Sequence, residues 1–311
     1  MTSLRLPWSQ QKRKAPSTIQ DSLGDKIFMG LNYIFLTVIL IVILYPLIYT
    51  LSASFSDPSA VISGKVTLLP VDFTLVGYQK IFEYPILIKG MMNSLFYTIV
   101  GASFSVVLTM LAAYPLTRKD LPGRRILTLI FFFPMLFSGG LIPFYLVVRD
   151  LGLVNTRWAL IIPTALSVWN LIITISFLRT SIPEELYEAA QIDGCSDIGY
   201  LIKIVLPLSK SIIAVLFLLY AVTQWNQYFF SLIFQTNPEL APLQIVLRNI
   251  LIYNKIDLGM MADVKRMADQ QALQEQLKFA SMVVASVPVL LLYPFIQRYF
   301  VQGLTVGAIK G

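Results

Sequence analysis

The sequence predicts an all-α polytopic membrane protein with six transmembrane helices and both termini on the cytoplasmic side. Three observations lead there. Six apolar runs are long enough to cross a bilayer, only 13% of the 311 residues are charged while 56% are hydrophobic, and Lys and Arg gather in the segments that would share one side. Soluble domains carry roughly 25% charged residues, so this surface is suited mostly to lipid.

A hydrocarbon core of about 30 Å takes about 20 helical residues at 1.5 Å each. The qualifying runs are Ile27 to Leu51, Met91 to Thr117, Ile126 to Val148, Trp158 to Leu178, Ile204 to Phe234 and Phe279 to Ile296. The third contains Pro134 and Gly139-Gly140, and the sixth contains Pro288 and Pro294. Membrane helices tolerate such breakers where neighbours satisfy the freed backbone groups. The first run is followed by Ser52-Ala53-Ser54, which resembles a cleavage site, but it is longer than the apolar region of a signal peptide. It is expected to be an uncleaved anchor.

Orientation follows from the basic residues near the span ends. The tail before the first run carries Arg5, Lys12, Arg13, Lys14 and Lys26; the short loop after the second carries Arg118, Lys119, Arg124 and Arg125; and Arg179, Lys203 and Lys210 flank the segment between the fourth and fifth. The opposite side has Arg149 and Arg157 in its one short loop. The expected organisation is a basic cytoplasmic tail over 1–26, a transmembrane domain over 27–301 and a cytoplasmic tail over 302–311. The localisation that follows is a cell membrane crossed several times, with lipid as the surrounding partner.

Several chemistries are excluded at once. There is no His, which removes His-based triads and His-ligated metal sites. The single Cys195 allows neither an internal disulfide nor a cysteine metal cluster. No G-x-x-x-x-G-K-[ST] phosphate loop occurs, so the chain is expected to be no enzyme and to hold no cofactor of its own. The net charge of +7 could suit nucleic acid, but the basic residues flank apolar runs, and membrane topology explains them better. None of the six runs contains Asp or Glu, and Lys210 is their one basic residue. Ion-driven transporters usually place ionisable groups near the midplane, so the drive is expected to come from outside the membrane.

The segment between the fourth and fifth runs supplies a place for that drive. Glu188, Ala189, Ala190, Gly194, Ile204, Leu206 and Pro207 fill the pattern E-A-A-x3-G-x9-I-x-L-P. Ser181 and Glu184 read as a capping box opening a short helix. Gly194 can take the positive φ that ends it, Ser196 and Asp197 can start a second, and Pro207 marks the bend into the fifth run. Ala189 and Ala190 would keep one face thin for a partner. A generic amphipathic helix with a glycine stop is the plainer alternative. For a solute path, Gln224, Trp225, Asn226 and Tyr228 in the fifth run and Asn170 in the fourth offer amide and hydroxyl groups beside aromatic faces. The same residues could simply join helices or sit in an interfacial belt.

The full spacing resembles the cytoplasmic EAA loop by which permeases of bacterial ABC importers dock onto their ATPases. With Trp225-Asn226, Leu277-Lys278-Phe279-Ala280, Gln297 to Gly303 and Gly307 to Gly311, the chain resembles the type I (MetI-like) permeases for carbohydrates. Within them it is most similar to the maltose-type, LplC/YtcP-like six-helix subunits. The resemblance implies a second homologous permease, an ABC ATPase dimer using ATP and Mg, an extracellular solute-binding lipoprotein and an oligosaccharide substrate. It places coupling in the loop 181–207 and a contact with the ATPase in Gln302 to Gly311. The polar stretch Asp263 to Glu275 is a candidate surface for the binding protein. A permease for a non-sugar cargo, or a transporter or channel working alone, would share the apolar spans; the second leaves the EAA spacing unexplained.

Overall fold

The computed structural model of the chain describes residues 22–83, 85–253 and 272–291. Every regular element among them is helical. The chain divides into two compact units, Met1–Tyr49 and Thr50–Gly311.

Within the first unit, α1 (Leu23–Ser54, 32 residues) begins, and it spans roughly 48 Å at 1.5 Å per residue. It is apolar all round, and its most apolar window is unburied, as expected of a helix whose solvent is hydrocarbon. Pro46 lies inside it.

The last residues of α1 belong to the second unit. Ser52 donates to the Leu68 carbonyl (2.7 Å), and the Ser54 and Tyr78 hydroxyls share a 2.8 Å bond. Two short helices follow, α2 (Pro58–Ile62) and α3 (Val76–Glu83). Then comes α4 (Pro85–Thr117, 33 residues), whose membrane-length window is 44% buried.

The centre of this unit is α4, against which α7 (Val168–Ser181), α11 (Lys210–Trp225) and α13 (Leu243–Tyr253) pack. Its buried face carries small and polar residues at helical spacing, among them Gly90, Ser94, Gly101, Ala102, Ser105 and Thr109. Apolar lipid gives helices little reason to associate through Leu, whereas small residues let backbones approach. A Cβ at Gly90 would lie 2.8 Å from Val246 Cγ2, and one at Gly101 would lie 2.9 Å from Gln224 Cδ. Polar groups then fix the register. Thr109 and Tyr220 share a 2.7 Å bond, and the Leu243 N–H donates to Ser94 Oγ at 2.8 Å. Asn93 donates to the Glu239 and Ala241 carbonyls.

The third apolar run is not one straight span. It forms α5 (Arg124–Leu136) and α6 (Leu141–Asp150), which meet at 119°. Neither helix alone is long enough for the roughly 20 residues a crossing takes. Pro134 removes one backbone donor, and Gly140 at φ 83 turns the chain where a β-carbon would be strained. The fourth run is helical only in its second half. A 3₁₀ turn (Arg157–Leu160) and an irregular stretch precede α7 (Val168–Ser181), which Ser167 caps.

After α7 come α8 (Glu184–Ile192), α9 (Asp197–Tyr200), a π-helical stretch (Leu201–Val205), α10 (Leu206–Leu208) and α11 (Lys210–Trp225). The fifth run is therefore also broken, with 81° between Asp197–Leu208 and Lys210–Trp225. Beyond α11 lie α12 (Phe229–Phe234), a 3₁₀ turn (Pro238–Leu240) and α13 (Leu243–Tyr253). The last described helix, α14, covers 272–291 and begins before the sixth run was expected to. By length and composition two described helices, α1 and α4, can cross a membrane, or four with each bent pair counted as one span. Most of Asp263 to Glu275, the tail before residue 22 and the segment 302–311 lie outside the described residues.

The close approach of α4 to α13 generates a prediction. Gly90→Ala overpacks the contact and should destabilise the solubilised protein by roughly 1–3 kcal/mol. Gly139→Ala, with nothing within 4 Å of the new carbon, should change stability by less than about 0.5 kcal/mol. Thermal unfolding in detergent distinguishes them.

Candidate coupling site

The EAA segment folds into two short helices joined by a tight turn. α7 continues through Ser181, and the Ile182 N–H bonds the Leu178 carbonyl (3.2 Å). Pro183 occupies the N-cap of α8, with no side-chain cap bond. The expected capping box between Ser181 and Glu184 does not form, because Ser181 still belongs to α7 and Pro183 takes the cap, which leaves Glu184 at the first position of α8 rather than the third. Glu184 instead pairs with Lys119, beyond the end of α4.

The end of α8 follows the expectation. Gly194 has φ 75; its N–H bonds the Gln191 carbonyl (3.0 Å), and the Cys195 N–H bonds that of Ala190 (2.9 Å). This pair of bonds is a Schellman motif. Ser196 Oγ accepts from the Gly199 N–H (3.2 Å) and caps α9.

The hairpin is gripped from inside. Tyr187 is buried and donates its hydroxyl proton to Asp197 Oδ1 (2.7 Å), joining α8 to the start of α9. Gln191 Nε2 donates to the same hydroxyl (2.6 Å). The Tyr187 and Tyr200 rings meet edge to face at 5.1 Å, and the Arg118 guanidinium lies 3.1 Å from the centre of the Tyr187 ring. Tyr114 donates to the Asp197 carbonyl at 3.4 Å. The bond to Asp197, and then burial, hold the Tyr187 phenol above its ordinary value. Burial does the same for Tyr200. The grips of Tyr114 and Arg118 were not legible in the motif, since Tyr114 is 83 residues from Asp197. The basic run Arg118-Lys119 is their visible trace in the sequence.

The motif residues divide by exposure. Glu188, Ala189, Gly194 and Pro207 are exposed, whereas Ala190 is buried and Ile204 and Leu206 are partly buried against the same core as Tyr187. Ile192 at 87% and Ile198 at 71% exposure add apolar side chains to the open surface. An added carbon at Gly194 would meet nothing within 4 Å, so within this chain only its φ demands glycine. Pro207 has no N–H, and the helix bends two residues later at the buried Ser209. The π stretch just before it closes with a bond from the Leu206 N–H to the Leu201 carbonyl.

The polar residues at the end of α11 and in the turn after it have mixed surroundings. Gln224 and Gln227 both donate to the Leu160 carbonyl (3.4 and 3.0 Å) and to Thr164 Oγ1 (3.2 and 3.4 Å). Among the described residues, their Oε1 atoms are buried without a partner. Trp225 is buried and donates to the Ala285 carbonyl of α14 (3.0 Å). Asn226 and Tyr228 are exposed, and Asn170 is buried in α7. Among the described residues, no group of acidic or cysteine side chains could hold a metal ion.

A family model described as binding-protein-dependent transport system inner membrane component matches residues 105–306. The polygalacturonan/rhamnogalacturonan transport system permease protein YtcP of Bacillus subtilis (strain 168) is 43% identical, over 93% of this chain and 100% of that protein. Protein LplC of the same organism is 37% identical, over 94% and 98%. Among solved structures, a chain of a bacterial ABC transporter involved in the import of the acidic polysaccharide alginate superposes with a TM-score of 0.82. That chain is 32% identical, with 91% of this chain and all of that one covered. The match spans α4 to α14 and takes in the whole hairpin built on Gly194 and Tyr187: this chain belongs to the family of binding-protein-dependent transport inner membrane components and is a membrane-embedded permease subunit of an ABC importer.

Proposed function

We propose that this permease carries an oligosaccharide across the bacterial inner membrane and is driven by a separate ATPase that docks on α8. The carrying observation is the division of the EAA hairpin. One face is pinned to α4 and α7 by Tyr187, Tyr200 and Arg118, while Glu188, Ala189 and Gly194 stand open. An anchored helix with an open edge is suited to receive a push and pass it on. The relatives named above transport or import polysaccharide material, which favours a carbohydrate delivered by an extracellular solute-binding lipoprotein.

In this reading the chain crosses the membrane six times. The spans are α1, α4, the α5–α6 pair, the passage through α7, the fifth run from Ile204 through α11 and α12, and α14, and both termini face the cytoplasm. The basic residues beside α4, α5 and α7 support that orientation. A second homologous permease completes the path, and ATP and Mg act in the ATPase dimer. Residues 1–26 form the basic cytoplasmic tail, and residues 302–311 reach toward the ATPase. Asn170, Gln224, Asn226 and Tyr228 face the solute path, with Gln224 and Gln227 also joining α11 to the Leu160 segment. Trp225 is better explained as the clasp on α14.

Three outcomes test this. Gly194→Asp, whose backbone cost alone is roughly 1–2 kcal/mol, should leave insertion and permease pairing intact and abolish substrate-stimulated ATP hydrolysis. Unchanged stimulation in the reconstituted complex would remove the docking role. Trp225→Ala should lower thermal stability by roughly 3–5 kcal/mol, as for buried aromatics generally; lost solute affinity at unchanged stability would return it to the path. For Tyr187, a raised phenol contributes stability that is complete below the ordinary value of 10.0 and is lost as pH rises through the higher folded value. Tyrosinate absorbance should therefore show a late-titrating phenol that is missing in Tyr187→Phe, and this group should add no pH dependence to coupling near neutrality.

A further inference from the structure

A cavity of about 510 Å³ opens where the end of α4, the start of α5 and the end of α7 meet the coupling hairpin. Four cations line it, Arg118, Lys119, Arg124 and Arg179, against the single acid Glu184. Their pairing among the described residues is incomplete. Arg118 is 3.1 Å from Asp120, and Lys119 pairs with Glu184. Arg124 and Arg179 donate only to the backbone carbonyls of Arg118 and Leu116, each at 3.1 Å. A carbonyl accepts a hydrogen bond but returns no charge, so among the described residues two of the guanidinium groups lining the cavity have no acid of their own.

The rest of the surroundings narrows the ligand. Leu178, Ile182 and Val205 make part of the cavity wall apolar. From Arg124 onward, α5 exposes Ile126, Ile130 and Phe133 on one face. A free inorganic anion would answer the arginines and leave that face unmatched. A phospholipid answers both, with its phosphate between the guanidinium forks and an acyl chain along α5. Guanidinium pairs matched to phosphate oxygens are among the stronger charged contacts, and basic pockets between membrane helices suit lipid headgroups. Two uncompensated cations also disfavour a headgroup with its own positive charge.

We propose that this cavity seats the phosphate of an anionic phospholipid. Glu184 and Tyr187 of the hairpin share its wall, so an occupied cavity braces α8 from the side opposite its open edge and makes coupling dependent on lipid charge.

The test uses the complete transporter in nanodiscs of phosphatidylcholine, alone or mixed with phosphatidylglycerol. Native mass spectrometry reads retained phosphatidylglycerol, and substrate-stimulated ATP hydrolysis is measured in parallel. Wild type should retain the anionic lipid and respond to it. R124Q/R179Q should weaken retention by on the order of 30-fold, from about 1 kcal/mol per basic residue at an anionic surface, and lose the response. R125Q, one residue from the cavity lining, should keep both. Equal loss in R125Q would reduce the effect to diffuse charge and overturn the site, as would unchanged retention in R124Q/R179Q. Inorganic phosphate added to phosphatidylcholine discs should do nothing; a full response to it would overturn the lipid assignment. Lipid retention is read by mass alone, so it fails or stands independently of the docking role of α8.

Discussion

The structure depends on how closely other helices can approach α4. Lipid tails are as apolar as leucine, so burial of apolar side chains gives helices in a membrane little reason to associate. The stripe from Gly90 to Ala113 replaces that drive with backbone proximity, and with it dispersion and short polar bonds. At Gly101 beside α11 and Gly90 beside α13, there is no room for a β-carbon. The broken elements are arranged around this one unbroken helix.

Breaks are costly in hydrocarbon unless their backbone groups are met, and the breaks here are met by side chains. The irregular stretch before α7 lends its Leu160 carbonyl to Gln224 and Gln227. The turn between α12 and α13 lends carbonyls to Asn93 and Tyr97. The end of α4 offers the Leu116 carbonyl to Arg179. Amides and guanidinium groups that look like candidate ligand contacts in a sequence are, in large part, partners for interrupted backbone. Among the described residues, Oε1 of Gln224 and of Gln227 stay unmatched.

Much of this was legible beforehand. The apolar runs and the EAA spacing located α1, α4 and the hairpin, and Gly194 was read correctly because its positive φ is a local requirement. The capping box failed because α7 runs on through Ser181 and Pro183 takes the cap of α8, a helix boundary that the S-x-x-E pattern does not fix. The third run was expected to be one span, although Pro134 and Gly139-Gly140 were noted. Whether such breakers kink a helix or turn it through 119° is decided by packing, which hydropathy does not carry. The grip of Arg118 on Tyr187 was invisible for the same reason: it joins residues remote in the chain.

The 81° turn at Ser209 gives the Tyr187–Asp197 bond a mechanical meaning. That bond fastens α8 to the head of the arm running from Asp197 to Leu208, and α11 is the other arm. A bent lever whose joints are stiff acts as a bell crank. In the proposed docking, travel imposed along the first arm would emerge nearly at right angles along the second, and the second arm is the helix packed most extensively on α4.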